Sequence, residues 1–199
     1  MKFIVNKQNL KNVKLKYDNI TSIEHPFNDT FGNIPKVNTN LKVCYYNKKL
    51  YFAFRVFFDG ELPNSYMKKG GKVYRSESIE VMLAFDSKLV NYYSFAASPY
   101  NKTYVGYITN FDSMKPLSLE IENDLIKSYN NIGNGYYDVI LEIPLDKFVD
   151  NFNVKTTAVY FNAYRINMEG TKRKSSSLFK TDSISHHVPE SFVKMEIID

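Results

Sequence analysis

The chain has 199 residues, 44% of them hydrophobic and 24% charged, a balance that supports one sizeable core and excludes global disorder. Its formal charge is +5, with basic residues spread over "KQNLKNVKLK", "KKGGKVYR" and "TKRK". Nothing in the sequence brings these segments to one face, so they read as solvated loops and edge strands with no nucleic-acid partner, and no stretch approaches the roughly 18 apolar residues of a membrane span.

Aromatic residues make up 16% of the chain, all Tyr and Phe, and rings in such number favour pleated, half-buried surfaces. The start, "MKFIVNKQNLKN", has only a three-residue apolar run, too short for a signal-peptide core. As it stands the chain is expected to be soluble and cytoplasmic, or secreted as part of a larger protein. The one cysteine, Cys44 in "LKVCYY", forms no internal disulfide and reads as a small buried side chain. Sequons at Asn19, Asn28 and Asn101 read as chance matches in an Asn-rich chain.

From Leu41, "LKVCYYNKKLYFAFRVFFD" predicts a hairpin turning at "NKK", with apolar groups on both faces of its second strand and hence cover on both sides for part of its length. A loop rich in Pro, Gly and Lys follows and ends in "SESIEVMLAFD", where Ile79, Val81, Leu83 and Phe85 alternate with Glu80, Met82 and Ala84. "NYYSFAASP" and "KTYVGYITN" predict a second hairpin across "YNK". "LSLEIENDLIKSYNN" and "GYYDVILEIPLDKF" predict a third around "IGNG". "TTAVYFNAYRIN" and "VKMEII" supply the last strands, and "IPLDKFVDNF" holds about one helical turn after Pro144. The expected fold is all-β, a two-sheet antiparallel β-sandwich of jelly-roll type, in a single domain over residues 1–199.

Enzymatic readings find little support. No GxSxG, P-loop or Cys–His spacing is present. Glu77 and Glu80 lie three apart on an expected strand and so point to opposite faces, unlike the facing carboxylates of a glycosidase. The chain is expected not to be an enzyme.

The order of these segments, through "SESIEVML", "YYSFAASPYNKTYVGY", "GYYDVILEIPLDKF", "VYFNAYRIN" and "HHVPESFVKMEI", resembles the family 9 carbohydrate-binding modules and their DOMON-like relatives over about residues 36–198. Glu77, Ser78, Ile79 and Glu80 match the acidic-Ser opening of the family's central strand. Tyr93 to Gly106 matches its Tyr-x-Phe strand, Asn162 to Arg165 its Asn-x-Tyr-Arg strand, and His187 to Phe192 its closing His-x-Pro-Glu-x-Phe corner. The resemblance implies a β-sandwich that binds an oligosaccharide or polysaccharide between two aromatic platforms, matched here by Tyr74 and His186. It also implies a polar shell matched by Glu80, Ser98 and Tyr164. Both platforms lack Trp, and the basic and amide groups expected near Ala96 and Ser98 are absent.

Each of these residues has a second role open to it. Tyr74 is either a platform or loop packing; Glu80 either contacts ligand or pairs with Lys72, Arg75 or Arg165. Arg165 needs a buried carboxylate such as Glu77 or Glu80. Pro189 is expected to fix the closing turn, with Phe192 packing inward. His187, without HxH or HExxH spacing, is expected to bond a backbone carbonyl or carboxylate and not a metal. Family members often carry structural calcium; the acidic loops "DSMK" and "ENDL" are thin for it, and neither metal nor cofactor is expected. Two other functions stay open: a structural or protein-interaction sandwich without a sugar site, and a DOMON-like haem domain, which needs Met and His ligands facing one cavity.

Overall fold

A computed structural model of the chain describes residues 2–62, 73–110, 117–169, 172–183 and 185–198. These form β1 (Lys2–Lys7), the two-residue β2 (His25–Pro26) and β3 (Asn28–Asp29), β4 (Thr39–Tyr46), β5 (Lys49–Phe57), β6 (Ser78–Ala84) and β7 (Asn91–Ala97). They continue as β8 (Thr103–Thr109), β9 (Leu117–Glu120), β10 (Lys127–Ile132), β11 (Tyr136–Pro144), β12 (Val159–Glu169), β13 (Lys172–Ser177) and β14 (Val193–Ile198). No α-helix occurs among the described residues. Single 3₁₀ turns do, one of them at Leu145–Lys147 just after Pro144.

The three hairpins form where their turn residues place them. Asn47 and Lys48 both take positive φ (48° and 60°), giving the two-residue turn whose twist suits the β4–β5 pair. Between β7 and β8, Ser98 Oγ accepts the backbone N–H groups of Tyr100 and Lys102 at 3.2 and 3.3 Å, and Asn101 takes the left-handed conformation. Gly135, at φ 77°, lets β10 return into β11.

The sheet differs from the expected pair of antiparallel sheets. The strands join in one continuous mixed sheet, in the order β10-β11-β5-β4-β1-β14-β12-β6-β7-β8-β9. β1 is the link: Lys2–Asn6 run parallel to Lys194–Ile198 of β14, and Asn6–Lys7 run parallel to Cys44–Tyr45 of β4. One further expectation changes. "LSLEIENDLIKSYNN" is two strands, β9 on β8 and β10 on β11, so it supplies both ends of the sheet. Lys172–Lys174 of the basic segment "TKRK" lie in β13, which pairs with the second half of β12 and, over two residues, with β3.

The two halves of this sheet enclose one core. Leu41, Phe52, Phe54 and Leu141 from one half meet Ile79, Val81, Phe95 and Phe161 from the other, with Phe52 and Phe161 rings 5.8 Å apart. A buried ion pair crosses the same space. Arg165 of β12 donates to Glu77, whose Oε1 also receives the Tyr137 hydroxyl of β11 at 2.8 Å. The outer face of β5 is covered as expected, by Leu10, Tyr17 and Ile20 packing over Cys44, Tyr51 and Ala53. Cys44 is fully buried, and burial pushes its thiol up to about 12.

Candidate functional site

Alternation along β6 sends Ile79, Val81 and Leu83 into the core and leaves Glu80, Met82 and Ala84 on the outer face. The chain covers that face with its own C-terminal segment. After Ser177 it leaves the side of β12, and Asn162 fastens it there. Asn162 Oδ1 accepts the Phe179 N–H at 3.1 Å, and its Nδ2 donates to the Phe179 carbonyl and to Ser191 Oγ, both at 2.9 Å. Pro189 opens a 3₁₀ turn, and Phe192 packs edge-on to Tyr92 with ring centres 5.3 Å apart. The corner therefore turns the chain into β14 as expected, although Phe192 joins the outer cluster and not the central core.

His186 and His187 come down on this face with separate partners. His186 stacks flat on Tyr164, with ring centres 4.6 Å apart and planes 9° apart, and its Nδ1 lies 3.2 Å from Glu80 Oε2. Its Nε2 is buried with no hydrogen-bond partner among the described residues. His187 Nδ1 lies 2.8 Å from the Tyr92 hydroxyl, where a carbonyl or carboxylate was expected, and burial pulls its pKa below the ordinary value. Glu80 receives Ser94 Oγ at 2.5 Å on its other oxygen. Burial opposes its ionisation, but the bonds and charge of His186, with Ser94, outweigh that and hold its pKa below the usual carboxylate range.

Beside this group opens a cavity of about 330 Å³. Glu80, Ser94, His186 and His187 form one side of its lining. Tyr74, Arg75, Tyr104, Ser118 and Arg173 contribute others. Tyr74 is half-buried and rests edge-on against Tyr104, ring centres 4.9 Å apart. Tyr104 in turn lies across Gly106, whose missing side chain leaves room for the ring, and its hydroxyl is 3.0 Å from Ser118 Oγ on β9.

The structure thus brings Tyr74, Glu80 and His186 to one cavity. His186 is only 4% exposed, so it offers that cavity a polar edge more than an open face. Glu80 pairs with His186 and not with Arg75 or Arg165; Lys72 lies outside the described residues. Tyr164 backs His186 from behind, and Ser98 sits in the β7–β8 turn, where its carbonyl accepts Asn130 Nδ2 at 2.6 Å; neither lines the cavity. Ser94, Tyr104, Ser118 and Arg173 are additions. Alternation on β7 places Ser94 on the face of Glu80, but nothing local places β13 or β9 beside them.

A second cavity, of about 410 Å³, lies around Tyr17, Arg55 and Tyr136. Arg55 binds both Asp138 and Asp18 and lies 4.4 and 4.8 Å from the ring centres of Tyr17 and Tyr136, so the fold itself engages these groups. No group of three or more His, Cys, Asp or Glu side chains able to hold a metal ion occurs among the described residues; "DSMK" falls outside them. No described helix is long and apolar enough to cross a membrane.

No protein-family model and no curated protein sequence matches the chain. Solved structures do. One, from Bacteroides uniformis and provisionally assigned as a carbohydrate-binding protein, has a TM-score of 0.77 at 10% identity, covering 99% of each chain. A family 9 carbohydrate-binding module from Caldicellulosiruptor kristjanssonii in complex with cellotriose has a TM-score of 0.65 at 11% identity, over 99% of this chain and 93% of the other. A family 9 module from the same organism in complex with glucose has a TM-score of 0.61 at 10% identity, over 100% and 96%. At such identities the likeness is one of fold. It is a fold used by carbohydrate-binding modules, and the DOMON-like likeness gains no support.

Proposed function

We propose that the chain is a non-catalytic carbohydrate-binding module whose ligand lies in the cavity beside Tyr74. The observation that carries this reading is the meeting of Tyr74 and His186, remote in sequence, on one cavity lined with hydroxyl, carboxylate and imidazole groups. A pyranose presents an apolar C–H face to a ring such as Tyr74, while its hydroxyls exchange hydrogen bonds with such neighbours. Tyr104 holds Tyr74 from the side, and Glu80 keeps lone pairs beyond the two bonds it already accepts. The fold shared with modules in complex with cellotriose and glucose supports the same reading.

The lining supports the non-catalytic part of this reading. Among the described residues Glu80 is the sole carboxylate on the cavity, whereas glycoside hydrolysis uses two carboxyl groups about 5 to 9.5 Å apart. Among the described residues the cavity lining holds no methionine, and a haem reading needs Met and His ligands facing one cavity.

One tyrosine face and a few shared hydroxyl bonds give weak binding, with dissociation constants from about a micromolar to a millimolar. NMR titration with a panel of oligosaccharides tests the reading on the unmodified chain and on Tyr74→Ala. The expected result is saturable shifts in the first and at least a tenfold weaker response in the second. No response to any sugar, or equal binding by both proteins, favours a structural or protein-interaction sandwich instead.

A further inference from the structure

The cationic side chains of this protein are distributed unevenly by type. Only four of its 26 basic residues are arginines: Arg55, Arg75, Arg165 and Arg173. Two are held by carboxylates of the fold, Arg165 on Glu77 with both side chains 2% exposed, and the partly exposed Arg55 on Asp138 and Asp18. The other two, from the turn after residue 72 and from β13, both line the cavity beside Tyr74. Arg75 and Arg173 are exposed, and neither forms an ion pair among the described residues. Among the described residues the one carboxylate of the lining, Glu80, is buried and accepts a bond on each oxygen, so the full charges that these residues present to solvent in the cavity are guanidinium groups.

Resting on the reading of this cavity as a sugar site, we propose that its ligand is an acidic glycan, a uronic-acid oligosaccharide whose carboxylate is bound by Arg75 and Arg173. A guanidinium presents a planar fork of N–H donors that matches a carboxylate in two parallel hydrogen bonds, which an ammonium does not. Solvated rim charges of no function need not be arginine in a chain where lysine is the usual surface cation. Sugar-ring recognition and charge recognition then fall to different groups: Tyr74 takes the apolar face, the arginines the anion.

The test uses the full chain and calorimetric titration at low salt with matched trimers: cellotriose, its C6-oxidised uronate, its 6-sulfate ester, trigalacturonate and trimannuronate. The expected result is that at least one uronate binds about tenfold or more tighter than cellotriose, with the gap shrinking as salt is added. Arg75→Gln and Arg173→Gln each lower uronate affinity by about tenfold and weaken its salt dependence, while the melting temperature stays unchanged. Cellotriose binding as tightly as every uronate overturns the acidic-glycan inference and leaves the sugar-site reading standing. Uronate binding that ignores both substitutions overturns the role of the arginines. A sulfate ester bound more tightly than every uronate overturns the carboxylate assignment. Silence towards all five trimers overturns the sugar-site reading and the inference with it.

Discussion

Replacing Glu77 with Gln leaves the Arg165 guanidinium buried beside a neutral amide. Glu77 Oε1 receives Arg165 Nε and Nη2, each at 3.1 Å, and the Tyr137 hydroxyl at 2.8 Å; Oε2 receives the Met168 N–H at 3.0 Å. An amide keeps one acceptor oxygen and turns the other into a donor facing a donor. Removing one partner of a buried pair costs about 3 to 5 kcal/mol, because the remaining charge stays desolvated. Against a total stability of roughly 5 to 15 kcal/mol that is a large share. In a chain of this length each kcal/mol moves the melting temperature by about 2 to 4 °C, so a fall of roughly 6 to 20 °C is expected. Urea unfolding measures it, with a lower midpoint and an unchanged slope. The double variant Glu77→Gln/Arg165→Met removes the stranded charge as well and recovers most of the loss. A loss under about 1 kcal/mol in the single variant, or a double variant no more stable than the single, refutes the argument from charge burial.

Gly106→Ala puts a Cβ 2.9 Å from two carbons of the Tyr104 ring, so the ring must swing off Ser118 and away from Tyr74. A stability loss of about 1 to 3 kcal/mol and several-fold weaker sugar binding are expected, and an unchanged protein would contradict this packing. Asn162→Ala unfastens the segment ahead of the closing corner and strands the Phe179 amide and carbonyl, costing about 1 to 3 kcal/mol. Faster hydrogen exchange near residues 179–192 reads that loosening, and exchange identical to the parent counts against it. Stability should also fall with pH in two stages. His187, and His25 for the same reason of burial, titrate below their ordinary 6.5, so below that pH the unfolded chain takes up protons first and gains. Glu80 is held below its ordinary 4.5, and its contribution, present above that value, is lost as pH falls towards the folded pKa. Thermal melts across this range show both stages, and His187→Gln flattens the first; an equal slope in that variant contradicts the assignment.

The sequence by itself determines the local geometry of this protein. Asn47 and Lys48, Asn101 and Gly135 mark three hairpin turns, because backbone conformation there depends on the residues of the turn alone. The two-residue alternation of β6 separates Glu80 from Ile79 and Val81, and Pro189 marks the last corner. Tyr74, Glu80 and His186 were grouped by the order of motifs along the chain, and the fold places all three on one cavity. What the sequence left open was decided by pairing at a distance. β1 looks like a short apolar run of no consequence until β4 and β14 receive it on either side. "LSLEIENDLIKSYNN" reads as one arm of a hairpin until its halves pair at opposite ends of the sheet. The Glu80–His186 contact joins residues 106 apart, and Arg173 reaches the cavity only because β13 lies along β12. A strand's periodicity records which face is buried, whereas its neighbours depend on register and loop closure across the whole chain. Those are settled only when the core closes.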